Sequence, residues 1–76
     1  MTAEKIKNRL DEMASHLTFR YKGKEGGIDP ISRTYFDMWY GSTGTIAQSL
    51  DDVMKTPLFD GKNLDQIAAE ITVIDW

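Results

Sequence analysis

The chain contains no cysteine and a single histidine, His16. Disulfide staples and thiolate metal sites are therefore excluded, and a zinc site would have to be built from one imidazole and scattered carboxylates. Only two prolines, Pro30 and Pro57, interrupt the pattern of elements. No apolar segment approaches the roughly 20 residues needed to span a bilayer, and the N-terminus, Met1 to Ile6, lacks the long apolar stretch of a signal peptide. Basic excess is missing as well. The formal net charge is −3, and residues 49–76 hold two Lys/Arg against six Asp/Glu. That balance argues against a phosphate backbone as the main partner, because nucleic-acid binders usually carry a strong basic patch. These absences together predict a cytoplasmic, non-membrane protein with no cofactor.

What is present is an ordinary globular share of apolar residues, 41% of 76. That predicts one compact domain over 1–76. A core this small is marginal. With no disulfide to reinforce it, self-association as a homodimer is the staple left open. The most concentrated feature is the run Tyr35-Phe36-Asp37-Met38-Trp39-Tyr40, which holds four of the eight aromatic residues. Alternation along it puts Phe36, Met38 and Tyr40 on one face and Tyr35, Asp37 and Trp39 on the other.

Around that strand the pattern predicts an α+β fold. An N-terminal helix packs on a small, mainly antiparallel sheet of three or four strands, and two short helices lie near the C-terminus. Ile6, Leu10, Met13 and Leu17 follow 4-3-4 spacing, which predicts a helix over 3–16 with Thr2 as its N-cap. Leu17 to Tyr21 alternates as a strand. The glycine-rich stretch Lys22 to Gly27 reads as a turn, and the returning arm is expected near Gly26–Asp29. Asp29-Pro30-Ile31-Ser32 reads as a second turn, with Pro30 ending the arm or confining it to an edge. Gly41 to Gly44 breaks the aromatic strand, with a short extended piece at Thr45–Ala47. Ser49 caps a helix over 50–55 that Pro57 stops. Asp60-Gly61 forms a turn, and Asn63 caps a helix near 64–70. The β-branched run Ile71 to Ile74 reads as a terminal strand.

No catalytic, phosphate or metal motif emerges. Gly61-Lys62-Asn63 lacks both the hydroxyl residue and the leading glycine of a phosphate loop. Asp60 to Asp65 lacks the alternating acids of a calcium loop. Ser15 and His16 have no evident orienting partner, and Asp51-Asp52 reads as compensation of a helix dipole. The expectation is thus a protein that is not an enzyme: a non-enzymatic interaction or regulatory accessory module. Its candidate surface comprises Tyr35, Asp37 and Trp39, the basic residues Arg20, Lys22 and Arg33, and the terminal Trp76. The alternative is a small-ligand or single-stranded nucleic-acid binder that uses the same aromatic and basic groups. Tyr35, Asp37 and Trp39 are either covered by residues 67–76 or left for a partner.

Three segments, Gly26-Gly27-Ile28-Asp29-Pro30-Ile31-Ser32, Phe36-Asp37-Met38-Trp39-Tyr40-Gly41 and Leu58-Phe59-Asp60-Gly61-Lys62-Asn63-Leu64, resemble those of small uncharacterised bacterial or phage-related domains. That resemblance implies a domain of unknown function and brings no catalytic residue with it.

Overall fold

The computed structural model describes residues 1–13 and 15–76. The first helix, α1 (Ala3–Asp11), starts where the Thr2 hydroxyl accepts the Lys5 N–H at 3.1 Å. It buries Ile6 and Leu10, as the spacing predicts. It does not run to residue 16. Met13 takes a left-handed conformation at φ 58°, and the last turn is closed from outside. Arg33 donates to the Asp11 carboxylate at 2.8 Å and to the Asp11 carbonyl at 3.1 Å. A carbonyl that helix continuation would have occupied is thereby satisfied. Leu17 is buried from a strand instead of the helix, and the predicted helical residue Ala14 lies outside the described residues.

Five strands form one antiparallel sheet: β1 (Leu17–Tyr21), β2 (Lys24–Ser32), β3 (Tyr35–Tyr40), β4 (Thr43–Ala47) and β5 (Thr72–Asp75), in the order β4-β3-β2-β1-β5. The expectation of three or four strands is corrected to five, for reasons that lie in the turns. Lys22 and Gly23 alone reverse the chain, at φ 50° and 78°. A two-residue turn with both centres left-handed matches the twist of the strands it joins. Gly26 and Gly27 therefore lie in mid-strand, opposite Phe19 and Thr18. The second predicted turn is likewise strand as far as Ser32. Pro30 is tolerated because β2 runs past its last pairing with β1, Leu17 to Ile28, so only β3 flanks it there. Thr43 and Gly44, read as part of a break, pair with Tyr40 and Trp39.

From β4 at one edge the chain crosses to β5 at the other through α2 (Leu50–Lys55), α3 (Leu64–Ile67) and a 3-10 turn (Ala68–Glu70). Ser49 caps α2, and a reciprocal capping box between Asn63 and Gln66 starts α3. The Asp60-Gly61 turn between them has φ 59° and 77° and is closed by two backbone bonds between Phe59 and Lys62. One core joins Ile6 and Leu10 of α1 and Val53, Met54, Leu64 and Ile67 of the later helices to Phe19, Ile28, Phe36, Met38 and Tyr40 of the sheet. These strand residues share one parity, so all three helices lie on one face of the sheet.

Lys7 clamps α1 to α2 through Asp51 at 3.0 Å. That hydrogen bond, together with the charges of Lys7 and Lys55, holds the Asp51 carboxyl below its ordinary 3.8. A lowered folded-state pKa stabilises the fold above the unfolded pKa and ceases to do so as pH falls through the folded value. Asp51→Asn is therefore expected to be less stable than wild type at neutral pH, and the gap should close below pH 3.8, as denaturant titrations across that range would record.

Candidate functional site

Alternation along β3 sends Phe36, Met38 and Tyr40 into the core and leaves Tyr35, Asp37 and Trp39 on the face opposite the helices. Nothing from residues 67–76 covers that face. The 3-10 turn packs with the other helices, and β5 joins the sheet edge beside β1. Tyr35 stays 47% exposed and Ile46, the β4 neighbour of Asp37, 42%.

Trp39 is half-buried although no element lies over it. Its cross-strand partners are glycines on both sides, Gly27 on β2 and Gly44 on β4. The indole leans toward β2: a Cβ built on Gly27 would collide with the Trp39 ring and with the Leu17 carbonyl oxygen, falling 2.6 Å from Cη2. Gly26, next in sequence, does the same on the core side. A Cβ there would meet the Trp39 carbonyl at 2.9 Å, the Tyr40 ring at 3.1 Å and the Phe19 ring at 3.4 Å. The paired glycines thin the centre of β2, so aromatic rings close over it from both faces.

Beside Trp39 on the uncovered face stand two carboxylates. Asp29 and Asp37 are direct cross-strand partners, and among the described residues neither has an ion-pair partner. Like charges placed opposite one another in a sheet are destabilising.

The seven residues expected to form one surface divide. Tyr35, Asp37, Trp39 and Arg20 share the uncovered face, and Arg20 is held across the strand by Glu25 at 3.5 Å. Lys22 turns from the hairpin tip to Asp60 at 3.3 Å. That hydrogen bond, with the charge of Asp60 and its tyrosine neighbour, raises its pKa above 10.5. Arg33 closes α1. Trp76 lies on the helical side, where the Arg9 guanidinium sits 5.3 Å above its ring and a shallow hollow of about 280 Å³ opens between Trp76 and Met1, Lys5, Asn8, Arg9 and Glu12. Lys24 lies 5.5 Å from the Tyr40 ring centre. The basic residues of the expected surface, Arg20, Lys22 and Arg33, are thus divided among separate intramolecular contacts. Gly27, Asp29 and Ile46 join the site unforeseen, because only the strand register places them beside Trp39.

His16 bonds Asp75 at 3.0 Å and ties the start of β1 to the end of β5. Among the described residues no group of three His, Asp or Glu side chains is placed to hold a metal ion, and no helix is long and apolar enough to cross a membrane. No protein-family model, curated protein or solved structure matches the chain.

Two outcomes follow from this geometry. Gly27→Ala should destabilise the fold by about 1–3 kcal/mol through overpacking. In a Trp76→Phe background it should also raise the acrylamide quenching of Trp39, whereas unchanged stability and quenching would contradict the packing of indole on glycine. Asp37→Asn should raise stability by about 0.2–1 kcal/mol, the scale of a cross-strand pair, visible as a higher denaturation midpoint at low salt and a smaller gain at high salt.

Proposed function

We propose that this chain is a non-enzymatic interaction module, regulatory or accessory in role, that docks a protein partner on the uncovered face of its sheet. The observation that carries the reading is Trp39, lying on Gly27 at the centre of a face that no helix covers. Tryptophan and tyrosine are the side chains most often found anchoring interfaces, because they offer large rigid area at little entropic cost. Here the ring already rests on the neighbouring strand β2 at Gly27, so docking would order little that is not ordered already. Tyr35 and Ile46 extend the apolar surface, and Thr18 beside Gly27 adds a polar margin. Activity in the reducing cytoplasm fits a chain without cysteine.

The net charge of −3 opposes the approach of a second copy, so a different protein is the better occupant. Stacking of single-stranded nucleic acid on Trp39 is the second reading, since an aromatic ring on an open sheet suits a base. The two carboxylates beside that ring repel a phosphate backbone, and the nearby Arg20 is engaged by Glu25.

Selection of a random peptide library on the wild-type protein, with counter-selection on Trp39→Ser, tests the proposal. Selected peptides are expected to lose about tenfold or more in affinity on Trp39→Ser, the equivalent of about 1.4 kcal/mol. They should perturb the resonances of Gly27, Asp37, Trp39 and Ile46. Peptides that map instead to α1 and Trp76 would overturn it, and a single-stranded oligonucleotide that shifts the Trp39 indole resonance would favour the second reading.

A further inference from the structure

We infer that the partner segment docking on this face presents an arginine, whose guanidinium stacks on Trp39 and bonds the carboxylates of Asp29 and Asp37. The inference rests on the reading of the uncovered face as a docking surface and adds the chemistry of its occupant.

Three features of the face converge on a cation. The first is the position of the carboxylates. Asp37 lies two residues along β3 from Trp39, and Asp29 lies two residues along β2 from Gly27, over which the indole leans. At about 3.3 Å per residue, Asp37 stands roughly 6–7 Å from Trp39 along β3 and Asp29 the same distance from Gly27 along β2, on the same face and toward the same end of the sheet. A planar guanidinium can lie on the ring and reach outward to a carboxylate through its forked N–H groups, a combination that a compact ammonium reproduces poorly.

The second feature is that, among the described residues, neither acid is paired with a basic side chain. Two arginines of the sheet and its turns are engaged elsewhere, Arg20 by Glu25 at 3.5 Å and Arg33 by Asp11 at 2.8 Å. Arg20 stands on β1 opposite Glu25, four strand positions from Asp29, which at about 3.3 Å per residue is roughly 13 Å away. The facing pair Asp29 and Asp37 therefore keeps a like-charge repulsion that an arriving cation would relieve.

The third is the charge of the whole chain, −3. Its long-range field favours the approach of a basic segment and opposes both an acidic one and a second copy of the protein.

Titration of the isotope-labelled chain with acetylated, amidated tetra-arginine, followed by amide and indole resonances, tests the inference. Shifts are expected to concentrate at Asp29, Asp37 and Trp39. Affinity should fall about tenfold when Asp29→Asn and Asp37→Asn are combined and about fivefold for Trp39→Leu. Tetra-lysine should bind more weakly than tetra-arginine, and tetra-glutamate should leave the face unperturbed. The asparagine variants remove a repulsion, so their melting temperatures should equal or exceed that of wild type, and their loss of affinity would not reflect unfolding. Shifts spread over Glu4, Asp65 and Glu70 with no preference for the face, or affinity unchanged in the double asparagine variant, would overturn the inference. If tetra-arginine fails while library-selected peptides without basic residues still contact Trp39, the arginine is wrong and the docking face stands. If neither engages the face, both readings fall.

Discussion

The close approach of aromatic rings to the two central glycines of β2 is the constraint on which the rest of this structure depends. Gly26 and Gly27 have no side chain to hold the rings away. Phe19 and Tyr40 can close on β2 from the helical side while Trp39 lies against it from the other. On the helical side this brings Phe19 within 5.4 Å of Phe59, centroid to centroid, and Tyr40 within 5.6 Å of the same ring. The Tyr40 hydroxyl is then placed to donate to the Tyr21 carbonyl at 2.8 Å. The core of a 76-residue chain is thus tightened around one thin place in its central strand. On the far side the same thinness lets a tryptophan rest against the neighbouring strand and be half-buried on a face that no helix covers.

Charge is divided between the two faces in a related way. On the helical side and at the rims, basic residues secure the architecture. Lys7 joins α1 to α2, Arg33 closes the end of α1, and Lys22 links the first hairpin to the turn before α3. Exposed pairs of this kind contribute little each, about 0–1 kcal/mol. Among the described residues, none of the ion pairs involves the acids beside Trp39. Under the proposed docking, an apolar ring with carboxylates at its margin would select a partner by charge as well as by shape. Facing each other across β2 and β3, the same two acids carry the like-charge cost of a cross-strand pair.

Much of the fold is legible in the residues because the physics that sets it is local. Ser49 and Asn63 mark their helix starts by offering side-chain acceptors to exposed N–H groups, and α2 and α3 begin directly after them. The alternation of Phe36, Met38 and Tyr40 already separates the two faces of β3. Gly26-Gly27 and Asp29 to Ser32 misled for an equally physical reason. Glycine and proline are frequent in turns, and local composition does not distinguish a glycine that bends the chain from one that makes room for a ring. Arg33 is the same kind of case. Its charge is visible in the sequence, but its role as the closure of α1 requires the β2–β3 turn to come back beside Asp11.

The sequence by itself determined the class of the fold, the position of most elements, the side of β3 that enters the core, and the lack of any recognisable catalytic motif. Each of these follows from spacing along the chain. Only the tertiary structure decided which residues stand around Trp39. Cross-strand register sets Gly27 beneath the indole and Asp29 against Asp37, and register depends on how whole strands pair. The entry of α1 into β1 and the path of the chain from β4 to β5 through α2 and α3 together decided that the helices fall on the other face. The aromatic strand is therefore core on one side and an uncovered surface on the other, because small helices with a single apolar face can cover only one side of a five-stranded sheet.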